Sequence, residues 1–153
     1  MKAQELRIGN LVNVPNKEQS PFRIDYFDEN KVYQNQGFYN TEFGLVPYHP
    51  LTWDISDCAP IPLTPEILKK CGFYQLPHRT IQNSWMFNLS RDRVLSVACV
   101  GTPNEMVFLT EEVPPEVKSI IVLRNFDYDG KTHLHQLQNL YYALTGEELN
   151  FKP

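Results

Sequence analysis

The stretch that most constrains the fold is the last one, Lys131 to Leu149, KTHLHQLQNLYYALTGEEL. It alone combines helical periodicity with a start and a stop signal. Leu134, Leu137, Leu140, Tyr141 and Leu144 recur at three- and four-residue spacing and so share one stripe of a helix. Thr132 is placed to cap the entry, and Gly146 stands where a helix end commonly takes a left-handed residue. An amphipathic stripe has to be laid against something that excludes water. The rest of the chain reads as β, so the partner is a sheet.

Composition bears on that partner. Of 153 residues, 42% are hydrophobic, enough for a real core without a metal or disulfide staple, and twelve prolines and seven glycines suit short strands and turns. From Leu6 to Ser56 the pattern is short and alternating. Leu11 to Val14 stops at Pro15. Phe22, Ile24 and Tyr26 fall on one face of a strand, with Arg23 and Asp25 on the other. Asp28 to Lys31 turns the chain into Val32 and Tyr33 as a hairpin, and Leu51 to Ile55 alternates again. Strands this short favour a small curled sheet or partly open barrel.

Prolines 47, 50, 60, 62 and 65 then mark a boundary, giving a β-barrel-like subdomain over 1–58 and an α+β subdomain over 59–153. Directly after it, Thr64 to Gly72 reads as a two-turn helix, with a Thr cap, Pro65 at the first position, Glu66 in the first turn, Lys69 and Lys70 in the last, and Cys71 closing it. Strands are expected at Trp85–Leu89, at Val94–Val100 (apolar on both faces and so central), at Met106–Leu109 and at Val117–Leu123. Turns are expected at Arg91–Asp92, Gly101–Asn104 and Asp127–Gly130. Pro114 and Pro115 exclude a longer helix before the last strand. The fold class is α+β: a mostly antiparallel chain with the terminal helix across one face of a meander.

Chemistry is harder to find. Fourteen Lys and Arg against eighteen Asp and Glu give a net charge of −4, and no basic stripe is present for a phosphate backbone. Cys58, Cys71 and Cys99 have no Cys-x-x-Cys spacing. The pattern His133-x-His135, with His49 and His78 elsewhere, brings a metal to mind. Yet residues two apart on a helix point about 200° from each other, so both face one ion only if the helix has not begun. Cys99 lies in an apolar run where burial suppresses the thiolate, and Ser84 and Ser90 lack a nucleophile elbow. No phosphate-binding glycine loop occurs. Tyr26, Phe27, Tyr33, Phe38, Tyr39, Phe43 and Tyr48 crowd the N-terminal half, first as core fillers and then as anchors for a protein partner.

Three segments carry a resemblance: the opening Glu5–Val12 (ELRIGNLV), the central Pro60–Leu68 (PIPLTPEIL) with Cys71–Phe73, and the closing His135–Leu149 (HQLQNLYYALTGEEL). Together they resemble a group of small uncharacterised proteins of Bacteroidetes bacteria often associated with prophage or other mobile regions. Separately, Ile8–Val12 is similar to the first strand of SH3-like barrels. The resemblance implies a phage- or mobile-element-related accessory protein and carries over no functional residue.

The expectation is therefore a non-enzymatic interaction protein that binds a protein partner or itself. No residue is assigned to catalysis, to a cofactor or to a metal. The alternative is a nucleic-acid-associated protein using Lys17, Arg23 and Lys31 around Tyr33, which the local charge of the N-terminal half disfavours. With no signal-peptide core and no eighteen-residue apolar run, the expected compartment is the cytoplasm, off the membrane.

Overall fold

The computed structural model describes residues 2–14, 21–35, 37–47, 49–75, 83–113, 116–124 and 131–152. The expected turn at Asp127–Gly130, the Pro114–Pro115 pair and residues Pro15, Lys17, Tyr48 and His78 lie outside them. The chain falls into two compact units, Met1–Ile61 and Pro62–Pro153.

The first unit is built from strands of two to four residues: β1 (Leu11–Val12), β2 (Phe22–Arg23), β3 (Tyr26–Phe27), β4 (Lys31–Gln34), β5 (Phe38–Thr41), β6 (Gly44–Pro47) and β7 (Leu51–Asp54). All pairings are antiparallel. They give three small sheets, β1-β2, β3-β4-β7 and β5-β6, and no closed barrel among the described residues. The expected single strand from Phe22 to Tyr26 is broken. Phe22 and Ile24 are buried as the alternation requires, but at Asp25 the chain leaves β1 for β4, with Asp25 N–H donating to the Tyr33 carbonyl at 2.9 Å. Tyr26 is consequently exposed. The core gathers Leu6, Val12, Val14, Phe22, Ile24, Val32, Ile55 and Cys58, with the Trp53 ring edge-on to Phe22 at 4.5 Å.

In the second unit, α1 (Pro65–Lys70) forms as its local signals dictate: Thr64 Oγ1 accepts from Ile67 N–H at 3.2 Å, and Cys71 closes the last turn. Gly72 follows at φ +85°. The positive φ favours glycine, and a Cβ there would lie 3.3 Å from the Phe87 ring, which would have to give by a few tenths of an ångström. Then come β8 (Trp85–Asn88), β9 (Arg93–Ala98), β10 (Met106–Val113), β11 (Glu116–Arg124) and α2 (Leu134–Thr145). The sheet runs β11-β10-β9-β8, every pair antiparallel, with β9 central as its two-sided apolar sequence requires. β9 ends at Ala98, short of the expected Val100. The chain turns at Cys99, a non-glycine residue at φ +55° and only partly buried, so Cys99 is not the core residue its apolar run suggests.

Packing on the sheet follows from period-2 alternation. Leu95, Val97, Val107 and Leu109 are buried, and Phe87 from the same face meets Phe73 at 5.2 Å and Tyr141 of α2 at 5.4 Å. Leu134 and Leu137 are fully buried, each worth about 1.5–3 kcal/mol of transfer free energy. Leu140, Tyr141 and Leu144 are half-buried, so the stripe is driest in its first two turns. The entry differs from expectation by one residue. His133, in extended conformation, is the cap residue, and its N–H donates to Gln136 Oε1 at 3.0 Å. Thr132 N–H instead donates to the Glu105 carboxylate at 2.8 Å. Gly146 ends α2 at φ +75°.

Candidate interaction surface

Alternation leaves the second face of the four-stranded sheet with its own set of side chains. Met86 from β8, Val94 from β9, and Met106, Phe108 and Thr110 from β10, with Val117 and Ser119 from β11, line a hollow of about 630 Å³. Its rim carries Arg91, Asp92 and Glu112, and Glu112 N–H donating to the Asp92 carbonyl at 2.8 Å fixes the β8–β9 turn beside the end of β10. The Thr110 and Ser119 hydroxyls lie 3.2 Å apart across β10 and β11. The floor is thus apolar and includes two adaptable methionines, the edge is hydroxylated, and charge is confined to one end. Methionine side chains are flexible and polarisable, so this floor can adapt its shape to an apolar group.

The histidines are arranged differently from the helical projection. Because His133 precedes the helix with φ −113° and ψ 154°, its ring stacks on that of His135, centroids 5.8 Å apart and 13° from parallel, and both are buried. His49 is exposed and belongs to the other unit. Among the described residues no group of three or more His, Cys, Asp or Glu is placed to hold a metal ion. Cys58 and Cys71 are buried, and burial pushes their thiols up to about 11 and about 12, values at which a thiolate nucleophile is scarce at neutral pH. Ser84 precedes β8, and Ser90 is exposed in the β8–β9 turn.

Among the aromatics, Tyr26 and Tyr33 stack on each other at 4.4 Å and 8°. Tyr33 donates its hydroxyl to Asp28 Oδ2 at 2.8 Å, while Asp28 Oδ1 accepts from the Asn30 and Lys31 N–H groups. Arg23 and Lys31 are exposed, with Arg23 3.8 Å from Asp25. Phe27 is half-buried. Phe43, at the β5–β6 turn, is 91% exposed, so it is not a core filler; of Phe38 and Tyr39 only the backbone places in β5 are described.

One residue escaped the sequence reading. Glu105 is buried, with Oε2 accepting from Gly101 N–H at 2.7 Å and Oε1 from Thr132 N–H at 2.8 Å. It ties the β9–β10 loop to the entry of α2. Its second partner is 27 residues away in sequence, and no local pattern announces such a contact.

No protein-family model matches the chain, and no curated protein or solved structure is significantly similar to it. Among the described residues no helix is long and apolar enough to cross a membrane.

Proposed function

We propose that this chain is a non-enzymatic accessory protein that works by binding another protein, in a phage- or mobile-element-related setting. The observation that carries the reading is the hollow on the second face of the β8–β11 sheet. On the opposite face Leu95, Val97, Val107 and Leu109 are buried and Phe87 meets Tyr141 of α2, whereas here Val94, Met106 and Phe108 stay half-exposed around a space of about 630 Å³ with charge at one end only. Soluble domains seldom leave a contiguous apolar patch without a use for it.

The N-terminal sheet supports nucleic-acid binding less well. Tyr26 and Tyr33 already stack on each other, Tyr33 is tied to Asp28, and Arg23 sits beside Asp25.

The test is affinity capture from a bacterial lysate with wild-type protein and with Thr110→Arg, which fills the hollow from a half-exposed position. Support is a protein retained by wild type and lost from the variant while both melt at the same temperature. Equal retention by the two would remove the hollow from the mechanism. The setting is tested by gene neighbourhood: a place among packaging, replication or conjugation genes supports it, and a place in a metabolic operon argues against it.

A further inference from the structure

The sheet that bears the hollow ends on β11, whose outer edge pairs with no other described strand. An unpaired edge presents a row of backbone N–H and C=O groups to any strand that approaches. Proteins usually blunt such edges by keeping them short, by bulges, or by placing proline or lysine on them. β11 is nine residues long without proline; its register shift lies beyond Ile121, and Lys118 is the one lysine of the regular part, Glu116–Ile121. Apolar residues are exposed on both its faces: Val117, 64% exposed, on the hollow side, and Ile120, 57% exposed, on the other.

We propose that β11 pairs antiparallel with β11 of a second copy, joining two four-stranded sheets into one of eight strands. The register can be derived. Residues directly opposite in a sheet share a face, so a two-fold axis between identical antiparallel strands has to pass through a residue, not between two. Only Glu116–Ile121 pairs regularly with β10, because the register shifts where Val107 gives way to Phe108. Centring on Val117 overlaps three residues only. Centring on Lys118 sets two ammonium groups opposite each other, which is destabilising. Centring on Ile120 drives half of the pairing into the irregular end. Ser119 remains. There, Ser119 meets Ser119, Val117 lies opposite position 121, and the aliphatic stem of Lys118 covers Ile120 of the other copy. Both exposed apolar residues are then sheltered.

This inference rests on the reading of the sheet as a binding surface and deepens it. Val117 and Ser119 also border the hollow, so a second β11 would extend its wall and make one trough from two hollows.

Light scattering coupled to size exclusion is expected to show a mass twice that of the chain, dissociating on dilution. Val117→Lys and Ile120→Lys are expected to halve that mass without changing the thermal melt. In a Cys99→Ser background, Ser119→Cys is expected to oxidise to a covalent dimer, since directly opposed Cα atoms fall within disulfide range. Lys118→Cys is expected to do so several-fold more slowly. A monomer at every concentration, or a dimer untouched by the lysine variants, overturns the proposal. So does equal cross-linking at positions 118 and 119. A monomer that still retains a partner sensitive to Thr110→Arg would sink the β11 pairing and leave the proposed function standing.

Discussion

Asp28 engages both carboxylate oxygens at one turn, and its pKa records that. The Asn30 N–H first, then the Tyr33 hydroxyl and the Lys31 N–H, hold its carboxyl below the ordinary value of 3.8, while the same hydrogen bond raises Tyr33 above 10.0. A lowered carboxylate pKa contributes stability that is present above the unfolded value and is lost as pH falls through the folded one. The β3–β4 hairpin should therefore loosen below pH 3.8, and Asp28→Asn should return the Tyr33 titration toward 10.0. Amide NMR and ultraviolet titration read the two effects. Cys71 has the opposite sign. Burial alone raises its thiol from 9.0 to about 12, so its contribution is complete below 9.0 and lost as pH rises toward 12. In native protein at pH 8 it should resist alkylation while the partly exposed Cys99 reacts, as peptide mass mapping would show. Glu105→Ala should cost about 2–4 kcal/mol in urea unfolding, because two N–H groups lose a charged acceptor, and Glu105→Gln less.

At the scale of elements, α1 and α2 differ in what decides them. The limits of α1 are written locally: Thr64 caps, Pro65 starts, Gly72 ends, and the helix forms between them. Thr64→Ala should cost about 1 kcal/mol by denaturant titration. In α2 the stop at Gly146 was equally legible, and the start was not. Thr132 is a good cap by type, but its own N–H is bound by Glu105, and the His133 carbonyl receives the first helical bonds from Gln136 and Leu137. The helix is anchored by burial more than by its cap, so Leu137→Ala should cost about 2–5 kcal/mol in the same titration. The strands split likewise. Alternation located β7 and β8, the Asp28–Lys31 turn located β4, and apolar runs rich in β-branched residues between turn signals located β9 to β11. The break at Asp25 was invisible, because alternation continues to read smoothly through a residue where the chain changes partner.

For the whole molecule, the division at Ile61 and Pro62 matters most. The second unit holds α1, the four-stranded sheet and α2, with Leu68, Leu95, Val97, Val107, Leu134 and Leu137 all buried. Expressed alone, residues 62–153 are expected to unfold cooperatively with retained near-ultraviolet dichroism; a non-cooperative melt would show that this core does not suffice. The sequence by itself determined the α+β class, both helices, the antiparallel meander and the central place of β9, because hydrophobic period, proline and glycine act within a few residues of where they stand. Only the tertiary structure decided that the first strands form three small sheets, that Cys99 leaves the core, that His133 faces His135, that Glu105 binds across 27 residues, and that one sheet face bears a hollow among the described residues. Each of these depends on which distant residue arrives alongside, and periodicity holds no record of that.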